Sequence, residues 1–203
     1  MAAPTTLTSV PGERLSFAVR KFSVEEYHQL ARMGVLRESD PYELLEGWIV
    51  LKMTRNPPHD TALQLLEDLL RHLLPSGWCV RGQKAISLTE SEPEPDIAVA
   101  RGDARTYAQR HPTPADIGFV VEVAESSLAE DRSIKLRIYA RSGIPSYWIV
   151  NLVDSQVEVY MDPSGPIQEP HYRQHQDFGP DATVPLVIDG KQVAQVAVRD
   201  ILP

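Results

Sequence analysis

Apolar residues repeat at intervals of three and four positions between His59 and Leu73, which is the period of one face of an α-helix. The residues that follow this period are Ala62, Leu65, Leu66, Leu69, Leu70 and Leu73. Pro75 and Gly77 come directly afterwards and end the pattern. The sequence therefore predicts an amphipathic helix that begins at His59.

Two further helices are indicated by the residues at their ends. Ser23 and Glu26 have the spacing of a capping box, and Gly34 is a typical stop. A second helical segment covers residues 129–142 and ends before Gly143. We expect a short helix at the first place and a longer one at the second.

Short apolar runs between these helices predict β-strands. Glu46 and Gly47 divide one run into a hairpin within residues 41–53, and the run 117–124 is apolar except at Glu122. A run of this kind is typical of a strand buried on both faces of a sheet. The other predicted strands are residues 78–80, 85–88, 97–100, 147–151, 156–161, 184–188 and 193–198.

This order of elements predicts an α/β fold in one domain with extensions. Residues 1–22 are expected to form an N-terminal arm, 23–162 the core, and 163–203 a β-rich extension packed on the core. The chain lacks a regular βαβα alternation, a GxGxxG motif and a P-loop motif. The sequence therefore does not support nucleotide binding through either of those motifs or through a doubly wound fold.

Composition narrows the class of protein further. The net charge of −8 argues against a protein that coats nucleic acid through bulk positive charge, although a local basic groove or a bound metal stays compatible with it. A single cysteine, Cys79, excludes an intramolecular disulfide and favours the cytoplasm. No signal peptide and no membrane-spanning run is predicted.

Two acidic residues adjoin apolar strands and suggest a metal site. Asp96 follows Pro95 at the start of one predicted strand, and Glu122 lies within another. If the strands are neighbours, the two carboxylates converge, and an oxygen-only site favours Mg²⁺ or Mn²⁺. Such an ion suits phosphodiester hydrolysis. Alternatively, Asp96 only caps a turn and Glu122 pairs with a basic side chain.

A helix face next to these strands carries Asp131, Lys135 and Tyr139 at intervals of four. One interpretation is a surface ion pair beside a packed tyrosine. The other is that Lys135 faces the Glu122 strand and orients a water molecule or holds a phosphate. Glu43 could join the metal shell, and His59 could cap its helix or approach a substrate phosphate.

These short motifs fall in the order seen in Uma2-type proteins, and the chain resembles that family over about residues 22–162. The motifs are Tyr42-Glu43-Leu44-Leu45-Glu46-Gly47, His59, Glu94-Pro95-Asp96-Ile97, Val121-Glu122-Val123, Asp131 with Lys135 and Tyr139, and residues 143–150. The family is similar to the PD-(D/E)XK restriction-endonuclease superfamily. The resemblance implies a restriction-endonuclease-like α/β fold, with a central mixed β-sheet flanked by helices.

The resemblance also implies a Mg²⁺-dependent nuclease acting on DNA. Asp96 and Glu122 match the metal ligands, and Glu43 matches an acidic residue ahead of the core sheet. The superfamily places a lysine two residues after the glutamate, where this chain has Ala124, and the helical Lys135 resembles a relocated replacement. The catalytic set expected from the resemblance is therefore Asp96, Glu122, Lys135 and Glu43.

Two further expectations concern partners. His59 and Lys84 are candidate contacts to the substrate, and a homodimer would cover edge strands and the proline-rich C-terminal segment. The alternative function is a non-catalytic, nuclease-like module that binds nucleic acid or a protein partner. The acidic net charge and the few basic residues favour that alternative.

Overall fold

A six-stranded mixed sheet forms the centre of the protein, as seen in a computed structural model that describes residues 19–37 and 39–203. Its strands, in spatial order, are β3 (Trp78–Gly82), β4 (Ile97–Arg101), β5 (Ile117–Ala124), β6 (Ser146–Asn151), β7 (Gln156–Pro163) and β8 (Tyr172–Phe178). β5 and β6 are parallel, and the other neighbouring pairs are antiparallel. The predicted α/β fold with a central mixed sheet is confirmed.

The described residues contain three α-helical segments besides the sheet. α1 (Val24–Arg32) begins at Ser23, whose side chain forms the predicted capping box with Glu26. α2 (Pro57–Leu73) is the predicted amphipathic helix. The third segment, called the composite helix below, joins β5 to β6 and consists of α3 (Leu128–Glu130), a wide π-helical turn (Asp131–Lys135) and α4 (Leu136–Arg141).

Successive side chains of β5 point to opposite faces of the sheet. Phe119, Val121 and Val123 pack with α2 and with the hairpin of β9 (Thr183–Ile188) and β10 (Lys191–Ala197). Val120 and Ala124 pack against the composite helix. Both faces of β5 are buried, as the nearly continuous apolar run predicts.

A tight hairpin of β1 (Tyr42–Leu45) and β2 (Trp48–Leu51) lies beside the composite helix. Its two turn residues, Glu46 and Gly47, have φ angles of 49° and 82°, which fits the two-residue turns that hairpins favour. The Glu46 carboxylate accepts hydrogen bonds from Arg137 at 2.6 and 3.0 Å and from Arg141 at 2.9 Å. These ion pairs hold the hairpin against α4.

The structure differs from the sequence-based predictions in three places. Residues 85–88 were expected to be a strand, but Ile86 and Leu88 are buried in an irregular segment whose N–H groups bond to Pro93 and Ser91. α2 begins at Pro57 rather than at His59. Proline suits the first position of a helix because the N–H groups of the first turn have no partner within the helix, and proline has no N–H group. The edge strand β8 was not predicted, since its middle residues are polar and exposed.

The predicted arm over residues 1–22 lies mostly outside the described residues, which begin at residue 19. β8 to β10 fall within the predicted extension 163–203, and β8 completes the central sheet. A domain division at residue 162 stays a prediction. Over residues 19–37 and 39–203, no helix combines the length and the apolar character that crossing a membrane requires.

We expect Gly47→Ala to lower the free energy of unfolding by about 1–3 kcal/mol, because the position has a positive φ and an added Cβ would lie 2.7 Å from Cβ of Lys21. Gly143→Ala is the matched control, since its φ is +73° and no atom lies within 4 Å of the added Cβ. Urea denaturation of both variants measures the difference. Equal losses would mean that the contact with Lys21 adds no cost.

Candidate metal centre

The pairing of β4 with β5 brings Asp96 and Glu122 together. In this antiparallel pair Ile97 lies opposite Val121, so the preceding residue, Asp96, stands next to Glu122. The backbone N–H of Asp96 donates a hydrogen bond to Oε2 of Glu122 at 3.2 Å. Both side chains are buried. The expectation that the two strands are neighbours is therefore correct, and the carboxylates lie at one end of the sheet.

Asp96 is held by one of its two oxygens. Oδ2 accepts hydrogen bonds from the backbone N–H of Val123 at 2.9 Å and from Nε2 of His59 at 3.0 Å. No hydrogen bond from the described residues reaches Oδ1. His59 occupies the first turn of α2, which Asn56 caps. The helix thus orients the aspartate, which lines the pocket formed with Glu122, and leaves Oδ1 without a partner among the described residues.

Glu122 is held from the composite helix. Its Oε1 accepts hydrogen bonds from the hydroxyl of Tyr139 at 2.7 Å and from Nζ of Lys135 at 3.4 Å. Lys135 and Tyr139 are both buried, so the face that carries them looks onto the sheet. Ala124 lies on the same side of β5 as Glu122. Lys135 therefore reaches the glutamate from the helix, where a lysine at position 124 would have come from the strand.

Glu43 enters the pocket from β1 of the hairpin. It is buried and lies 2.9 Å from Nζ of Lys135, and its Oε2 also accepts a hydrogen bond from the backbone N–H of Glu94 at 3.0 Å. Glu94 itself accepts a hydrogen bond from Lys52 at 2.5 Å. The ammonium of Lys135 thus bridges the hairpin, through Glu43, and the sheet, through Glu122.

Asp131 adds a fourth buried carboxylate to the same pocket. It is 4% exposed and lines the pocket with Asp96 and Glu122, and its Oδ2 has no hydrogen-bond partner among the described residues. The sequence pattern indicates Asp131 only as a neighbour of Lys135 on one helix face and within one motif, and not as a group of the acidic site. The spacing of four places the two residues on one face of a helix, and this spacing is the signal that identifies both.

A π-helical turn runs from Asp131 to Lys135, the two charged residues that enter the pocket. Such turns are uncommon and occur frequently at functional sites. The sequence pattern predicts the helix but not this turn. Tyr147 supports it from β6, because its hydroxyl donates a hydrogen bond to the backbone oxygen of Asp131 at 3.2 Å.

The pocket carries an excess of negative charge. Burial raises the pKa of Glu122 to about 8, and the nearby Asp96 and Asp131 favour the same shift against the opposing effect of Lys135. Burial likewise raises the pKa of Asp131 to about 7. Burial alone would lower the pKa of Lys135, but the attraction of Glu122 and Glu43 outweighs it and holds this pKa above its ordinary value.

Two basic residues occupy different positions relative to the pocket. Arg55, just before α2, is exposed and lines the pocket. Lys84 is exposed in the segment after β3 and does not line it. The structure therefore brings together Glu43, His59, Asp96, Glu122 and Lys135, but not Lys84. A substrate contact by Lys84 stays a prediction.

The donor set of the pocket fits a divalent cation that prefers oxygen. Four carboxylates converge, and the free Oδ1 of Asp96 and the unpartnered Oδ2 of Asp131 offer oxygen ligands. Unpaired buried carboxylates are costly, and a bound cation would offset that cost. Asp96, Glu122 and Asp131 are the residues that could hold it.

A mixed sheet with this crossover helix and an acidic pocket at its end defines a restriction-endonuclease-like α/β protein. A family model described as "Uma2: Putative restriction endonuclease" matches residues 24–195. The chain belongs to this family, and the resemblance found in its motifs is confirmed.

The fold is similar to that of a solved structure described as a "putative nuclease belonging to DUF820" from Anabaena variabilis ATCC 29413. The TM-score is 0.68 at 16% sequence identity, and the match covers 89% of this chain and 97% of that chain. At this identity the likeness establishes the fold alone. No curated protein sequence matches this chain significantly.

With a metal chelator in solution, we expect the free energy of unfolding to fall as the pH rises from 4.5 to about 8. The lower limit is the ordinary pKa of glutamate, and the upper limit is the raised pKa of Glu122. Over this window the folded protein keeps a proton on Glu122 that the unfolded chain has released, so this group favours unfolding by up to about 1.4 kcal/mol per pH unit as the pH rises. Asp131, whose pKa is raised to about 7, adds a dependence of the same sign at lower pH. Glu122→Gln should therefore reduce the dependence, most clearly between pH 7 and 8. Urea denaturation at several pH values measures it.

The matched control is Glu125→Gln, because Glu125 lines the same pocket but is exposed. This variant should keep the pH dependence of the unsubstituted protein. If Glu122→Gln retained the full dependence as well, Glu122 would not be a group that keeps its proton in the folded protein.

Proposed function

We propose that this protein is a Mg²⁺- or Mn²⁺-dependent endonuclease that hydrolyses phosphodiester bonds in DNA. The observation that supports the proposal best is the convergence of four buried carboxylates and one ammonium group at the end of a nuclease-like sheet. Membership of the Uma2 family supports it independently. The proposal extends the nuclease-like fold to a specific reaction.

In this proposal Asp96 and Glu122 bind the cation, Asp131 offers a further oxygen through its unpartnered Oδ2, and Glu43 completes the acidic surroundings. A bound divalent ion would supply positive charge that activates water and neutralises the charge developing on the phosphate. His59 acts as a positioning residue, because its hydrogen bond holds Oδ2 of Asp96 and leaves Oδ1 for the cation. It need not touch the substrate.

Lys135 is proposed to orient the attacking water or to hold the phosphate. An ammonium group has three N–H donors, and Glu43 and Glu122 use two of them at 2.9 and 3.4 Å. One donor remains for a ligand in the pocket. Because Lys135 stays charged, it also opposes the repulsion between those two carboxylates.

The approach of DNA is proposed to depend on local rather than overall charge. The net charge of −8 repels a polyanion, so phosphate contacts must come from basic groups at the pocket. Arg55 is exposed there, and Lys52 lines the same pocket while paired with Glu94. Arg55 is therefore the better candidate for a phosphate contact.

The central test is cleavage of supercoiled and linear DNA with Mg²⁺ or Mn²⁺ and then with a chelator. We expect metal-dependent nicking, and a loss of at least about 100-fold in rate for Asp96→Ala and Lys135→Met. Lys135→Met should retain cation binding, since methionine preserves the apolar stem and a bound divalent ion would replace the positive charge that is lost; circular dichroism checks that the variant stays folded. Asp96→Ala should lose it.

Lys191→Ala is the control, because Lys191 is exposed on β10 and does not line the pocket. Its cleavage rate should equal that of the unsubstituted protein. Cleavage that survives both Asp96→Ala and Lys135→Met would place the active site elsewhere.

We expect Arg55→Ala to weaken DNA binding and to reduce the dependence of log affinity on log salt concentration by about 1. The physical reason is the loss of one phosphate contact with its released counterion. Arg105→Ala is the matched control, since Arg105 is exposed but does not line the pocket. Fluorescence anisotropy at several salt concentrations measures both. An unchanged slope for Arg55→Ala would remove it from the DNA contact.

A non-catalytic, nuclease-like module is the second candidate. It is favoured by the acidic net charge, by Ala124 at the position of the superfamily lysine, and by the engagement of Lys135 with two carboxylates. Cation binding that depends on Asp96 and Glu122, without any cleavage, would select this function. A cytoplasmic location and a homodimer stay predictions.

A further inference from the structure

We propose a second metal site, for Zn²⁺ or a similar transition-metal ion, formed by His28, Glu92 and His111. His28 lies on α1, Glu92 on the irregular segment between β3 and β4, and His111 on the segment between β4 and β5. One ligand atom from each residue lies within 4.8 Å of the other two. The site is separate from the carboxylate pocket, whose lining includes none of these three residues.

The three ligand atoms lie close enough together to surround a small ion. Nε2 of His28 forms a hydrogen bond of 2.6 Å with Oε1 of Glu92, which an ion would replace, and Nε2 of His111 lies 3.5 Å from the same oxygen. Ligands bound tetrahedrally to Zn²⁺ at about 2.0–2.1 Å are roughly 3.3 Å apart. Small side-chain shifts are therefore enough to place the three atoms around one ion.

Glu92 is fixed before any ion binds. Its side chain is 3% exposed, its Oε2 accepts a hydrogen bond from the hydroxyl of Ser87 at 2.7 Å, and its N–H donates to the backbone oxygen of Leu44 at 2.7 Å. Among the described residues, no lysine or arginine pairs with this carboxylate. Oε1 is thus held towards the two imidazoles.

The ligand types distinguish this site from the carboxylate pocket. Two imidazole nitrogens and one carboxylate oxygen suit Zn²⁺, whereas Mg²⁺ prefers oxygen ligands alone. The side chains of His28 and His111 are 33% and 43% exposed. An ion can therefore enter from solvent, and water can fill the fourth position.

A similar cluster of Glu158, His175 and Asp177 does not offer the same chemistry. Arg132 contacts both oxygens of Glu158 at 3.0 and 2.6 Å, and Tyr160 donates a further hydrogen bond to it. The positive charge that a metal would supply is already present there.

A metal bound by His28, Glu92 and His111, called the His28 cluster below, would attach α1 to the rest of the protein. No residue of α1 is buried, and the helix is otherwise linked by bonds such as the one from the Tyr27 hydroxyl to the backbone oxygen of Tyr42 at 3.2 Å. Glu92 bonds to Leu44, the neighbour of Glu43. The ion would thus fix the segment leading to Asp96 against the hairpin that carries Glu43.

The test is a titration of metal-free, full-length protein with Co²⁺, followed by visible absorption, and then displacement by Zn²⁺. We expect d–d bands of a four-coordinate site that disappear on adding Zn²⁺. His28→Ala and His111→Ala should each lose these bands, whereas Asp96→Ala should keep them. Zn²⁺ should also raise the melting temperature of the unsubstituted protein and not that of His111→Ala.

Two further variants sharpen the result. Ser87→Ala removes the hydroxyl that holds Oε2 and should weaken Zn²⁺ binding by roughly 10-fold. His175→Ala is the matched control, an exposed histidine outside the site, and should bind Zn²⁺ unchanged. Circular dichroism checks that each variant is folded, and His111→Ala removes a side chain that is already 43% exposed.

Bands that persist in both His28→Ala and His111→Ala would overturn the proposal. It would also be overturned if the unsubstituted protein bound no Co²⁺ or Zn²⁺, or bound them no better than these two variants. Bands lost only in Asp96→Ala would assign the ion to the carboxylate pocket instead. None of these outcomes depends on nuclease activity, so the second site and the proposed function succeed or fail separately.

Discussion

The buried ammonium of Lys135 is the interaction on which the arrangement of the pocket depends. It joins Glu43 of the β1–β2 hairpin and Glu122 of the central sheet, and it lies on the helix between them. A buried charge is tolerated only when it is paired, and removing one partner of a buried pair is strongly destabilising. The ammonium of Lys135 therefore links the hairpin, the sheet and the composite helix at the pocket, and the carboxylates that it holds also suit a divalent metal ion.

Much of this arrangement could be predicted from the sequence, because the relevant signals are local. The buried run 117–124 marks β5, the spacing of four marks the face with Asp131, Lys135 and Tyr139, and the turn at Glu46 and Gly47 marks the hairpin. Each of these patterns reflects the geometry of one element. The order of the motifs along the chain then identifies the family.

The missed features depend on contacts between distant parts of the chain. The middle residues of β8 are polar, so its place in the sheet follows only from pairing with β7. The spacing of four places Asp131 on the helix face of Lys135, but the burial of Asp131 follows only from the packing of the composite helix against the sheet. The bonds of His59 to Asp96 and of His28 to Glu92 join residues 37 and 64 positions apart, which no local spacing can indicate.

The carboxylate pocket and the His28 cluster are connected by one short stretch of backbone. Glu92 bonds to Leu44, Glu94 donates to Glu43, and Asp96 faces Glu122, so alternate residues of one segment contact the cluster, the hairpin and the sheet in turn. An ion bound to Glu92 restricts this segment at one end, and an ion bound to Asp96 restricts it at the other. Because each ion would order backbone that the other must also order, binding at the two sites is expected to be mutually favourable.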